Sequence, residues 1–447
     1  MSKPPSKPAS ETLAALTAKF DSPLPPLVKH SGRVLSCAGQ TVQVAGLCGR
    51  AGIGASVMID GDRRGDVIAD DGHSVTIALY GTTQGLTSGM RAELVPDMAL
   101  APGPHWLGKV LDFDGRDAFG NRPRQGTIPA DLNAAPPPAG HRRPLGKRIC
   151  TGYGAIDTFL PLCRGQRVGL FAGSGVGKTS LLGGLAKSTG RASSADVTVI
   201  ALIGERGREV RSFVEEVVGP EAMKRTVVFA ATSDQPPAAK LRAARLAMAT
   251  AESFRDQGKH VLFLFDSLTR FAQAHREVAL SVGETPALRA FPPSTFPTLA
   301  GLCERAGPGP DSVKGDITAV FSVLVQGSDM EEPVADTVRG ILDGHIILDR
   351  AIAEGGRYPA IDVGRSVSRS LPEAATELEN AILSQGRSLL RRYEDGRLMV
   401  QSGLYVAGTD PILDKAVACQ PNLDGFLRIS DVATIDESFI ALGQAIA

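Results

Sequence analysis

The chain has 447 residues, enough for two or three domains, each with its own core. Its 43% hydrophobic and 21% charged residues are an ordinary soluble globular balance. Lys plus Arg and Asp plus Glu stand at 48 each, so the chain carries no global basic field that would hold nucleic acid. The six cysteines, Cys37, Cys48, Cys150, Cys163, Cys303 and Cys419, form no C-x-x-C pair. That argues against a zinc site or redox dithiol and suits a reducing compartment. The longest apolar stretches, around 261–265 and 317–325, are too short to span a bilayer. Residues 1–20 carry no apolar core of signal-peptide length, so the expected location is cytoplasmic.

In chain order, Pro4, Pro5 and Pro8 precede a short helical pattern with Leu13, Leu16 and Phe20 on one face, which Pro23, Pro25 and Pro26 stop. A helix this short is marginal alone in water, so residues 1–28 are either frayed or a docking segment for a partner. Strand-like alternation at 33–36, 41–44 and 74–79, with Gly-rich turns between, predicts a small β-barrel over 29–100. Tyr80 is its one aromatic residue. Single-strand-binding barrels stack bases on aromatic platforms, so this one is expected to serve structure or subunit contact. Residues 101–147 hold eight prolines, Pro136, Pro137 and Pro138 among them, and read as a linker or covering loop with Arg142 and Arg143 solvated.

Beyond that stretch, apolar runs at 167–172, 197–203, 226–231, 261–265 and 317–325 alternate with helical patterns such as 238–257. Continuous apolar runs fit parallel strands buried on both faces, which predicts an α/β domain around a mostly parallel sheet. Ligands of such sheets bind at the carboxyl ends of the strands. Residues 373–447 are expected to be helical, with Leu383, Leu389 and Leu390 in one pattern and Phe426, Leu427, Phe439, Ile440 and Leu442 later.

Ala172, Gly173, Ser174, Gly175, Val176, Gly177, Lys178, Thr179 and Ser180 follow the first of these runs and form the pattern of a phosphate-binding loop. The three glycines let successive N–H groups turn inward on a polyphosphate. Lys178 reaches the β- and γ-phosphates, and the Thr179 hydroxyl can ligate Mg²⁺. A helix starting near Lys178 adds its positive end. Ala172 stands where this pattern usually has its first Gly, and a small strand-terminal residue fills that place. The run 261–265 ends in Asp266, the second nucleotide-binding element, whose carboxylate holds Mg²⁺ through its water shell. The run 197–203 ends in Gly204, Glu205 and Arg206. A carboxylate there can aim and polarise an attacking water; the alternative is a surface cluster with Arg206 or Arg208. Arg369 is a candidate trans charge, although from the residues alone a surface ion pair is the simpler reading.

Residues 359–368, from Pro359 through Asp362 to Ser366 and Ser368, fit P-[small]-[aliphatic]-D-x-x-x-S-x-S. This resembles the signature of rotary ATP synthase α and β subunits and their relatives. Gly204-Glu205-Arg206 looks like that family's catalytic-glutamate segment, and residues 233–237 resemble the segment before a long helix. Stretches 266–272, 276–284 and 329–336 resemble the type III protein-export ATPases. With 171–178, the chain looks most like the flagellum-specific branch, and injectisome ATPases share nearly all of these residues.

The resemblance implies an N-terminal β-barrel (29–100), a central RecA-type P-loop parallel-sheet core (101–372) and a C-terminal helical domain (373–447). It implies that Lys178 and Thr179 hold phosphates and Mg²⁺, and that Glu205 is the general base or water-orienting group. Arg206 would contact the γ-phosphate, Asp266 would lie in the metal's outer shell and Arg270 would support the site. Tyr358 would stack on adenine and Arg369 would act as an arginine finger in a neighbouring subunit. Identical chains carrying both site and finger imply a homohexamer. Residues 1–28 would dock a regulatory stator-like protein, and export-gate and chaperone–cargo proteins would be further partners at the inner face of the cytoplasmic membrane. One rival is a synthase α- or β-type subunit that needs a different chain to complete its sites. A hexameric RNA helicase on the same core is a second, disfavoured by the missing aromatics and neutral charge. A nucleotide-regulated structural ring is a third, disfavoured by the intact set of Lys178, Glu205 and Asp266.

Overall fold

The structure, a computed structural model, describes residues 29–96, 100–189, 195–325 and 329–447. The expected docking segment 1–28 lies outside them. The described chain folds as two units.

The first is a closed six-stranded barrel in the order β1 (Ser31–Ala38), β2 (Thr41–Ala45), β5 (Ser74–Leu79), β4 (Arg63–Asp70), β3 (Ser56–Ile59), β6 (Arg91–Leu94), with β6 pairing back onto β1. Val34, Val42, Val44, Val57, Ile59, Val67, Val75, Ile77 and Ala92 fill its interior. The expected strands at 33–36, 41–44 and 74–79 are β1, β2 and β5. The alternation is masked in β3 and β6 by their length of four residues, with Arg91 and Glu93 in β6, and in β4 by Arg63, Arg64 and Asp66.

The second unit is built on a sheet in the order β15 (Val367–Ser368), β14 (Gly344–Leu348), β8 (Arg167–Ala172), β13 (Asp316–Leu324), β11 (His260–Asp266), β9 (Val197–Ile203), β10 (Thr226–Ala231), β7 (Val110–Leu111). A short strand β12 (Gly307–Pro308) pairs with β13 off this path. From β14 to β7 every pairing is parallel, and β15 runs antiparallel. β9 and β11 are buried along their whole length, which is why they read as continuous apolar runs. Helices cover both faces and enclose two apolar cores, one around Phe263, Phe265, Phe271 and Phe321, the other around Leu170, Leu182 and Leu264.

The proline-rich stretch departs from its expectation as a linker. Within it β7 extends the sheet by pairing Val110 and Leu111 with Val228 and Phe229, and Trp106 is fully buried beside Phe229. Arg142 and Arg143 are not solvated. Arg142 donates to the Glu304 carbonyl at 2.5 Å and pairs with the Glu304 carboxylate at 3.1 Å. Arg143 donates to Asp316 Oδ1 at 2.5 Å and to the Gly315 carbonyl at 2.7 Å. A segment this rich in proline has few N–H groups to offer a ladder, and the two guanidinium groups supply donors to neighbouring carbonyls instead.

The C-terminal region is helical as expected, with helices Glu377–Gln401, Pro411–Leu427 and Ile435–Ile446. Their starts are set by side-chain caps. Thr376 forms a capping box with Glu379, Asp410 accepts from Ile412 and Leu413, and Thr434 accepts from Glu437. Phe426 packs edge-on to Phe159, so this region shares a core with the sheet domain. Among the described residues, no helix is long and apolar enough to cross a membrane.

A buried ion pair fastens the stretch before Arg142 to the other core, the one around Phe263 and Phe321. Arg305 binds Glu252 through Nη2–Oε2 (2.5 Å) and Nε–Oε1 (3.0 Å) and donates to the Leu132 carbonyl at 2.7 Å. Arg305→Ala strands the Glu252 carboxylate in the interior, which costs about 3–5 kcal/mol. A fall in the apparent Tm is the expected readout, and an unchanged melting curve contradicts it.

Candidate active site

Parallel register places the strand ends together. Ala172, the last residue of β8, lies opposite Leu324 of β13 and Leu348 of β14. Asp266 of β11 lies opposite Leu202 of β9, and Ile203 opposite Ala231 of β10. The residues that follow these ends line one cavity of about 760 Å³: Gly173 to Thr179, Gly204, Glu205, Arg206, Ser233, Thr269, Arg270 and Arg350. A second hollow of about 400 Å³ is lined by Thr179, Glu205, Arg208 and Asp266.

The loop from β8 enters the helix Lys178–Ser188 through Gly175 (φ +78°) and Gly177 (φ +88°), both in the left-handed region. A Cβ on Gly177 would sit 3.2 Å from Cδ1 of Tyr358, so that ring lies directly against the phosphate loop. Tyr358 is half exposed, which leaves a ring face open. Val176 points its side chain into the core and offers the cavity only its backbone. Ser174, Thr179 and Ser180 are exposed.

Lys178 binds the two acidic groups. Its Nζ is 2.5 Å from Asp266 Oδ1 and 3.6 Å from Glu205 Oε1. Asp266 is almost wholly buried and accepts a second hydrogen bond from Ser322 Oγ at 2.7 Å. Burial, reinforced by the Asp266 charge, pushes the Glu205 carboxyl above the usual glutamate range, and Lys178 opposes that rise. The backbone of Glu205 is fixed by Ser233 N–H donating to its carbonyl at 2.9 Å. Arg206 is exposed and lies 3.4 Å from Glu209, and Arg270 bonds Gln273 at 3.0 Å.

Arg369 is exposed, does not line this cavity and pairs with no carboxylate among the described residues. The structure thus gathers Gly173 to Thr179, Glu205, Arg206, Asp266 and Tyr358 and leaves Arg369 outside the site of its own chain. Ser322 and Arg350 belong to the site but carried no sequence signal, Ser322 because it sits inside a buried apolar strand and Arg350 because it falls in no motif. Thr269 also lines the site; it lies in the family-like stretch 266–272 but was given no role there.

The donors here are hydroxyl and carboxylate oxygens, the set that suits a small hard cation. Among the described residues, no group of three or more His, Cys, Asp or Glu could hold a metal ion. Mg²⁺ needs no such cage, since it usually takes one or two protein ligands and fills the rest with phosphate and water.

A glycine-rich loop between strand and helix, its lysine and a strand-terminal aspartate define a nucleotide-binding α/β protein of the P-loop class. Residues 152–368 match the ATP synthase alpha/beta family, nucleotide-binding domain, and residues 376–444 match the T3SS EscN ATPase C-terminal domain. The flagellum-specific ATP synthase of Caulobacter vibrioides is 42% identical over 426 residues, covering 92% of this chain and 95% of that protein. The SPI-2 type 3 secretion system ATPase of Salmonella typhimurium is 42% identical over 371 residues, covering 83% and 84%. Among solved structures, the assembled ATPase EscN from the enteropathogenic E. coli type III secretion system superposes with TM-score 0.86 at 36% identity, covering 93% of this chain and 100% of that one. A second structure, of EscN in complex with its central stalk EscO, gives TM-score 0.82 at the same identity and coverage. The chain belongs to the ATP synthase alpha/beta family, in the branch of the flagellum-specific and type III secretion ATPases.

Gly177→Ala forces a left-handed Cβ into the Tyr358 ring, at a backbone cost of about 1–2 kcal/mol. Nucleotide affinity should fall roughly tenfold or more, for which 1.4 kcal/mol suffices. Titration with a fluorescent ATP analogue measures this, and wild-type affinity would refute the close approach.

Proposed function

We propose that this ATPase hydrolyses ATP to energise or gate protein export through the flagellar type III apparatus; an injectisome role is the alternative. The observation that carries the chemistry is Lys178, held between the carboxylates of Asp266 and Glu205 at the mouth of the phosphate loop. In this reading the loop N–H groups of Gly173 to Gly177 cradle the triphosphate, and Lys178 turns from Asp266 to the β- and γ-phosphates. Tyr358 stacks on the base and Arg206 reaches the γ-phosphate. Thr179 and Asp266 are the residues that would hold Mg²⁺, which when bound neutralises charge on the β- and γ-oxygens.

Glu205 aims a water in line with the β–γ bridging oxygen and accepts its proton as the oxygen bonds to phosphorus. The bond to the bridging oxygen breaks, giving ADP and inorganic phosphate. The raised pKa helps, because a stronger base takes the proton more readily near neutral pH.

The exposed Arg369, outside its own site, supports the reading that it completes the site of a neighbouring copy in a homohexameric ring, and EscN is an assembled ATPase. By likeness to the EscN–EscO complex we extend to this chain a stalk partner. A stator-like partner at residues 1–28, export-gate and chaperone–cargo partners, no nucleic acid, and a place at the inner face of the cytoplasmic membrane complete the proposal.

Turnover per chain should rise cooperatively with protein concentration, because assembly completes the site. No turnover at any concentration, with ATP still bound, would instead favour a subunit that needs a different partner chain. Glu205→Gln should retain ATP binding and lose turnover, and near-normal turnover would overturn its role. In the wild type, kcat/KM, which reports the ionisations of the free enzyme, should begin to fall on acidification at a pH above the usual glutamate range. The base works only when deprotonated, and a raised pKa protonates it sooner. A pH–rate profile flat down to the ordinary glutamate range would contradict this.

A further inference from the structure

β8 ends in the phosphate loop, but its first residues hold a different part of the chain. Arg167, at the opposite end of β8, grips Asp343 three times. Its backbone N–H donates to Oδ2 at 3.0 Å, its Nε to Oδ2 at 3.1 Å and its Nη2 to Oδ1 at 3.2 Å. The Asp343 carbonyl in turn accepts the backbone N–H of Arg369 at 3.0 Å. The neighbouring Gln166 is fully buried, and its Nε2 donates both to the Asp343 carbonyl (3.2 Å) and to Ser368 Oγ (3.3 Å). Ser368 Oγ also donates to the Pro161 carbonyl at 3.0 Å and shares a 2.8 Å hydrogen bond with Ser370. Gly344 lets the two strands close. A Cβ there would lie 2.6 Å from the Val367 carbonyl oxygen, at φ +152°.

The backbone N–H of Arg369 is therefore held by Asp343, and the preceding Ser368 by Gln166 and Pro161, while the Arg369 guanidinium stays exposed and unpaired by any carboxylate among the described residues. A long exposed side chain carries no fixed direction of its own; its reach is set by the backbone that bears it. We propose that Asp343, clamped by Arg167, and Ser368, held by Gln166, are positioning residues for Arg369, so that they serve the active site of the adjacent subunit and not their own. This rests on the reading of Arg369 as a group acting in trans.

The test is complementation between variant chains mixed before assembly. Lys178→Ala has a dead site and an intact finger, and Arg369→Ala the converse. Mixed together they should regain turnover at interfaces that join an intact site to an intact finger. Asp343→Ala and Ser368→Ala alone should lower kcat by roughly 10- to 100-fold, the scale of a misplacement near 1 Å, with little change in KM for ATP. Each should regain turnover when mixed with Lys178→Ala and gain none with Arg369→Ala. The opposite grouping, recovery with Arg369→Ala, or a loss of ATP binding by the variant itself, would place these residues in service of their own site and overturn the proposal. If the Lys178→Ala and Arg369→Ala pair regains nothing, the trans reading of Arg369 has failed, which is distinguishable from failure of the positioning claim. Ser368→Ala removes one hydroxyl, so it decides the matter should Asp343→Ala fail to fold, and Ser368→Thr should restore kcat.

Discussion

Parallel pairing in a common register is the constraint on which the rest of the site depends. Because Ala172, Leu324 and Leu348 are paired across β8, β13 and β14, the chain leaves the sheet at a common level on three strands. β11 ends two residues short of that level, with Phe265 opposite Phe321 and Asp266 opposite Leu202, and β9 and β10 end one residue further on at the paired Ile203 and Ala231. A shift of one residue in any strand would move its end by about 3.3 Å and turn its side chains to the other face. Asp266 would then lose Lys178 and Ser322 together. Burial on both faces is what forbids that slip, since each strand would have to place a different set of apolar residues against two cores.

On this frame the electrostatics separate two carboxylates that would otherwise behave alike. Lys178 stands 2.5 Å from Asp266 and 3.6 Å from Glu205. Asp266 receives the closer cation and the Ser322 hydroxyl. Glu205 receives the weaker share of the lysine while it feels burial and the Asp266 charge, so its proton affinity rises. That difference is what the proposed roles need, in which Asp266 faces the cation and Glu205 the proton of the attacking water.

What the sequence made legible follows from how local each signal is. The phosphate loop, Asp266 and Glu205 all lie where an apolar run stops, and the run and its end are contiguous in the chain. Tyr358 depended on likeness to a family, since its contact with Gly177 joins residues far apart in sequence. Ser322 was invisible because a hydroxyl within a buried strand looks like any other small residue until its cross-strand neighbour is known. Of the two readings of 101–147, linker or covering loop, the structure departs from the linker for a related reason. Its prolines are a local signal, whereas β7, the buried Trp106 and the bonds of Arg142 and Arg143 are made with residues some hundred or more positions later. The barrel was legible where β1, β2 and β5 alternate cleanly, and obscured where β3 and β6 span four residues each.

β8 also joins two functions by its length alone. Its six residues extend over roughly 17–20 Å, with the phosphate loop at one end and the Arg167–Asp343 clamp at the other. The strand is hydrogen-bonded on both sides, to β13 and β14, so the loop and the clamp hang on one paired ladder. The loop and the segment that bears Arg369 are thus fastened to one strand. If Arg369 serves the next copy, as proposed, then this one strand carries the phosphate loop of its own site and the anchor of a group that works in its neighbour's.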